Sequence, residues 1–427
     1  MKLNTLKPEI FVISLALFPL IFISGPFLSD LFIVIFDVYF IYYFFNLSKE
    51  KRKYFIINFR LEIFILTLLW LFSIVSSINS EFVFNSLMKS FFHVRFYIFL
   101  ISVIFFLRPL FQNEKLIKIF YLLIVTTIII ISTSMYIEIL VKYLYNNRII
   151  DFVFNEYQLY RFSGLFFDEQ IIGSFIIKIL IIYSLLLYHL NNYSLYNLFL
   201  LLLGIITIFI SGERMATLLT MLYFSFYFLF TYKHKNLKNL IILLTIFILV
   251  IFSSFTFNKN LNDRYQYFYQ YLKDVIVNKK SLSEVAPNYN YIDLFKSGYY
   301  VWTTEKVIGV GVRNYRNVCK IIHYEYHGPY LADKACDIHP HNIYSELLAE
   351  TGIVGIILFL SFILTLIFKT LRYKKLNFKD KLLITFCIVW LFWPIASTGS
   401  YFNNYNSTII WYLLGFILYN REKNEQL

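Results

Sequence analysis

Charge is what this sequence has least of. Of its 427 residues, 15% are Asp, Glu, Lys or Arg, against 59% that are apolar. So few charges cannot cover a water-soluble exterior, and a soluble globular chain is excluded. The strict apolar–polar alternation of outer-membrane strands is missing as well; stretches such as 198–210 are apolar on every face. There is no internal repeat, no low-complexity linker and no cleavable leader: the first apolar run passes through Gly25-Pro26 directly into a second. Nucleotide fingerprints are absent too. Gly309-Val310-Gly311 lacks the third glycine and the βαβ setting of a dinucleotide site, and reads as a turn with close backbone approach.

What is present is a series of long apolar runs. Crossing a bilayer takes about 20 predominantly apolar helical residues. Runs of this kind occupy 10–24, 27–47, 61–79, 93–107, 116–141, 170–189, 195–211, 213–231, 238–257, 343–368, 381–397 and 405–419, the shortest being 93–107 and 405–419. The expectation is an all-α polytopic membrane protein with about 12 transmembrane helices. The chain 1–427 reads as one membrane domain, with a large loop, 258–342, inserted between helices 9 and 10. With the N-terminus inside, the short inner segments carry 21 Lys and Arg and the short outer segments 6. This bias predicts cytoplasmic termini and an outward, periplasmic long loop. The net charge of +13 reflects that bias and attraction to anionic membrane lipids, and calls for no nucleic-acid partner.

Cysteines number three. Cys387 lies inside an apolar run and reads as a packing residue. Cys319 and Cys336 fall in the outward loop, where an oxidising compartment favours pairing; the alternative is two free thiols.

Chemistry-bearing residues gather on the outward side. His339-Pro340-His341-Asn342 stands where the long loop returns to the membrane. Pro340 restrains its own backbone and that of His339, and Asn342 is a helix-cap residue with Ser345 and Glu346 in the first turn. Glu346 and Glu350, four apart, share one helical face; acids inside a membrane helix face a polar cavity or a partner. A histidine here can act as a general base near neutral pH, and the competing reading is an interfacial pair without chemistry. Zinc is disfavoured, because neither histidine has Cys or carboxylate partners at metal spacing. Arg214 in Ser211-Gly212-Glu213-Arg214, Arg161 in Tyr160-Arg161-Phe162-Ser163-Gly164, and Arg264 in Asn262-Asp263-Arg264-Tyr265 all fall near the outer surface. Three planar guanidinium forks at one level suit a diphosphate; taken singly, each is equally a snorkelling residue or a partner for Glu213 or Asp263. Lys178 lies deep in its helix, where it snorkels or adds charge to the same cavity.

These motifs together resemble the bacterial O-antigen ligase/O-antigen polymerase superfamily of membrane glycosyltransferases. The resemblance rests on His341-Asn342 followed by Gly352 and Gly355, on 309–316, on the Cys319/Cys336 pair and on Ser211-Gly212-Glu213-Arg214. It implies a metal-independent, inverting transfer, with no cofactor, of a glycan from an undecaprenyl-diphosphate carrier on the periplasmic face of the inner membrane. The acceptor is the lipid A–core of lipopolysaccharide in a ligase, or another lipid-linked glycan in a polymerase. By the same resemblance His341 is the catalytic histidine, and His339 tunes it or helps bind the acceptor. Arg214 stabilises the leaving diphosphate; Arg264 is a looser match, and Arg161 is similar in setting only. The ligase is the favoured reading and the polymerase its rival. From another class, a membrane transporter or lipid flippase remains as a contender, kept alive by Asp37 and Lys178 within helices, although no two related halves are visible.

Overall fold

The protein, in a computed structural model, is described over residues 8–146, 162–166, 169–231, 245, 248, 259–278, 290–327, 336 and 339–422. Among these residues there are fourteen α-helices and no strand. In chain order they are α1 (Pro8–Ile23), α2 (Pro26–Asn46), α3 (Lys49–Ile78), α4 (Val83–Phe106), α5 (Glu114–Asn146), α6 (Ile172–Leu190) and α7 (Leu195–Ile210). After these come α8 (Arg214–Thr231), α9 (Lys259–Leu272), α10 (Asn290–Thr304), α11 (Tyr315–His327), α12 (Ile343–Arg372), α13 (Phe378–Leu391) and α14 (Asn404–Glu422).

Among the described residues seven helices are long and apolar enough to cross a membrane: α2, α3, α4, α5, α6, α8 and α12, while α1 and α7 are shorter apolar helices. Helices cover eleven of the twelve apolar runs in whole or in part; the remaining run, 238–257, lies almost wholly outside the described residues. The charged segment 49–60 and the mostly uncharged segment 83–92 also wind into helix, so α3 and α4 both begin well before their apolar runs. α13 stops at Leu391, short of the expected 397. Pro394 cannot donate a helical hydrogen bond, and 392–403 continues without helix.

α12 shows why such a helix belongs in a bilayer. Its 30 residues are interrupted at Gly352, and the part beyond the break, 353–372, alone spans about 30 Å, the thickness of the hydrocarbon core. The Asn342 side chain caps its start by accepting from the N–H groups of Tyr344 and Ser345, and Lys369 and Arg372 complement the dipole at its end. Ile353, Ile357, Leu360, Leu364, Phe368 and Leu371 form an exposed stripe along one face. A stripe this long and apolar is a surface for lipid.

The chain divides into two compact units. One comprises Met1–Ser29 and Phe106–Val277. Within it α1 packs on α5, and α5–α8 form a bundle whose polar side chains satisfy one another: the Tyr121 and Tyr183 hydroxyls donate to Asn197, and Ser184 bonds Tyr223 at 2.8 Å. The other comprises Asp30–Phe105 and Asn278–Leu427. There α12 packs along α3, α10 and α13, and α13 packs on α14. The segment 258–342 therefore contributes α9 to the first unit and α10 and α11 to the second.

Candidate active site

The histidine block is built from backbone constraints in the second unit. His341 adopts φ 50°, a left-handed conformation that non-glycine residues avoid and that persists only where its surroundings impose it. Those surroundings are the non-helical 392–403 segment. The Thr398 N–H donates to the His341 carbonyl at 2.8 Å, and His339 Nε2 lies 3.3 Å from the Thr398 carbonyl. Asn342 Nδ2 donates to the carbonyls of Pro394 (2.7 Å) and Ala396 (3.2 Å), and the Tyr344 hydroxyl donates to that of Phe392 (2.5 Å). Asn342 thus caps α12 with its oxygen and anchors the segment with its nitrogen. The two imidazoles stand 4.2 Å apart between centroids, both half-buried. Each is held and reachable, which suits proton transfer to a bound hydroxyl.

Below them both acids of α12 face buried partners. The Glu346 carboxylate accepts from the Ser400 hydroxyl and, at 2.6 Å, from the Tyr401 N–H. The Tyr401 hydroxyl bonds Tyr97 of α4 at 2.9 Å, and its ring packs on His93. Burial, followed by the neighbouring Tyr97, pushes the Tyr401 phenol well above its ordinary pKa, so it stays protonated. Glu350 accepts from the N–H of Arg313 at 2.7 Å and from that of Tyr315 at 3.4 Å. The turn expected at Gly309–Gly311 is where α12 breaks. Gly352 has φ 64° and ψ −166°, and the buried carbonyls of Ala349 and Glu350 accept from Val310 and Gly311 N–H at 3.0 Å. A Cβ on Gly352 would fall 2.3 Å from the Val307 oxygen, and one on Gly309 2.5 Å from the Glu350 carbonyl carbon. Only glycine allows so close a crossing. Cys319 and Cys336 form a disulfide, Cα atoms 5.6 Å apart, in a small core with Val301, Val310, Tyr315 and Ala349. That core braces the loop against α12.

Arg214 and residue 264 belong to the first unit. Arg214 opens α8, directly after a turn in which Glu213 caps α6 by accepting from Gly173 N–H (2.5 Å) and Ser174 N–H (3.1 Å). Tyr265 of α9 stacks on Phe209, donates to its carbonyl at 2.9 Å and bonds the Thr217 hydroxyl at 2.9 Å. The α9 backbone at residue 264 is thereby docked beside the first turn of α8, which Arg214 begins. Arg161 lies outside the described residues; Ser163 and Gly164 just after it donate to Glu138. Lys178 donates to the Ser174 carbonyl at 2.8 Å.

Sequence reasoning missed the 392–403 segment as part of the site. Its signal was there: Trp393-Pro394 followed by Ser397-Thr398-Gly399-Ser400 interrupts an apolar run with a helix breaker and small polar residues.

No curated protein matches the chain. A family model described as O-antigen ligase matches residues 199–360, a little over a third of the chain, running from α7 through the histidine block to the broken part of α12. That match supports an O-antigen-ligase type of function in an integral membrane protein, and over residues 199–360 it supports the likeness to the O-antigen ligase/O-antigen polymerase superfamily.

Proposed function

We propose that this chain is an O-antigen ligase: an inverting, metal-independent transferase that moves a glycan from undecaprenyl diphosphate to lipid A–core at the periplasmic face of the inner membrane. The observation that carries the reading is His341, half-buried, held at φ 50° by Thr398 and Asn342, with His339 alongside. In the reaction an acceptor hydroxyl oxygen bonds to the anomeric carbon as the carbon–oxygen bond to the diphosphate breaks on the opposite face. His341 takes the hydroxyl proton, and the electron pair of the broken bond leaves on the diphosphate. The donor is already activated, so positioning, one proton acceptor and compensation of the leaving charge suffice. Arg214 at the start of α8 is assigned to the diphosphate, where a guanidinium fork and a helix N-terminus act together. Arg264 and Arg161 are secondary candidates for the same role. His339 tunes His341 or binds the acceptor.

A polymerase would use the same chemistry on a lipid-linked acceptor. Both readings are tested in a knockout strain complemented with wild type or His341→Ala at matched expression. Lipid-linked polymer that accumulates while lipid A–core stays bare supports ligase action through His341. A single repeat on the core, with no polymer in either pool, identifies a polymerase. Normal pools with His341→Ala overturn the catalytic assignment.

A further inference from the structure

At the far end of α12 from His341, a cavity of about 490 Å³ opens between the first half of α3 and the ends of α12 and α14. Its lining includes Lys369, Arg372, Lys374 and Arg421, with Glu422 as the acidic member. Glu62, buried in α3, accepts from Lys369 at 2.5 Å and from Arg421 at 3.3 Å, and Glu422 pairs with Arg421 at 2.7 Å. Lys369 and Arg421 therefore take up both carboxylates. Among the described residues neither Arg372 nor Lys374 has a carboxylate within ion-pair distance, and both are exposed. Arg421 is 1% exposed, yet its Nη1 has no hydrogen-bond partner. The lining therefore carries net positive charge, and its two exposed cations, Arg372 and Lys374, are open to an anion.

The setting narrows the anion. Leu61 of α3 and Phe368 of α12 also line the cavity, both apolar and largely exposed, and Leu364 continues the α12 stripe towards the middle of the helix. A phosphate held by the cations would have acyl chains running down this stripe. The Lys- and Arg-rich segments 48–60 and 369–381 meet at this end, which the charge bias assigns to the cytoplasmic leaflet.

We propose that this cavity is a binding site for the phosphodiester headgroup of an anionic phospholipid, with Arg372 and Lys374 as its ligands. The site is independent of the glycan-transfer reading, since no residue is shared.

The test uses the purified full-length chain in neutral detergent, with native mass spectrometry counting retained phosphatidylglycerol against phosphatidylcholine. Arg372→Gln/Lys374→Gln removes two exposed cations and leaves the buried Glu62 pairs intact. Lys379→Gln/Lys381→Gln removes the same charge at the same end of the protein, outside the cavity lining. Wild type is expected to hold one phosphatidylglycerol in preference to phosphatidylcholine. The cavity variant should lose about 25-fold in affinity, roughly fivefold per cation, while the control variant changes little. Equal loss in both variants, or none in the cavity variant, overturns the site. Displacement of the lipid by millimolar inorganic phosphate, with equal thermal protection by phosphate alone, overturns the lipid assignment in favour of a soluble phosphate.

Discussion

Replacing Glu346 tests whether the 392–403 segment holds the histidines in place. In Glu346→Ala the buried Tyr401 N–H loses its 2.6 Å acceptor and the Ser400 hydroxyl loses its own. A buried donor left unpaired costs about 1–3 kcal/mol, and hydrogen bonds to a charged group contribute about 1.5–3 kcal/mol each. Ser400 can rotate towards another acceptor but the backbone N–H cannot, so the net loss should be about 2–4 kcal/mol. Thr398, which bonds both histidine backbone and ring, is only two residues from Ser400. A shift of about 1 Å there would lower transfer on the order of 100-fold. Glu346→Gln is the discriminating partner. Its amide oxygen can accept from Tyr401 N–H while its NH₂ donates to the Ser400 oxygen, so the loss should stay near 1 kcal/mol with most activity kept. Thermal unfolding in detergent should show Glu346→Ala lower by about 2–4 °C, and lipopolysaccharide gels of complemented cells should show the matching loss of capped product. If Glu346→Gln is as damaging as Glu346→Ala, the carboxylate charge matters and not its hydrogen bonds. If neither variant changes stability or transfer, the anchoring argument is wrong.

Gly352→Ala should lose at least about 3 kcal/mol, because its Cβ meets the Val307 oxygen at 2.3 Å in a conformation almost reserved for glycine; folded yield and thermal unfolding report it. Cys319→Ser/Cys336→Ser opens a loop with sequence separation 17 and should cost about 3 kcal/mol, read as a lower unfolding midpoint without reductant. Glu213→Ala uncaps α6 and should cost about 1–2 kcal/mol while leaving Arg214 in the chain. A variant that keeps full stability there would show that the carboxylate does not hold the turn.

The site was partly legible in the residues. His341-Asn342 stood out because a cap residue after His-Pro-His at the edge of an apolar run marks a helix start, and that requires no partner from elsewhere. Gly309 and Gly311 announced a close approach, though not to what. The role of Glu346 and Glu350 was legible only as a demand for partners. Those partners are backbone N–H groups at 401, 313 and 315, and every non-proline residue carries one, so no side-chain pattern marks them. Expecting α13 to run on to 397 hid the segment that cradles the histidines.

By itself the sequence determined the all-helical membrane character, since low charge and long apolar runs leave no other way to satisfy the backbone in a bilayer. It also marked the histidine block and the basic bias of one side, both local in the chain. The tertiary structure alone decided that α12 breaks at Gly352 to receive the 309–311 turn, and that His341 is held left-handed by residues some 57 positions later. It alone brought Arg421 to share Glu62 with Lys369. Each of these depends on atoms far apart in sequence meeting within hydrogen-bond distance, and helix packing sets such encounters where local propensity cannot.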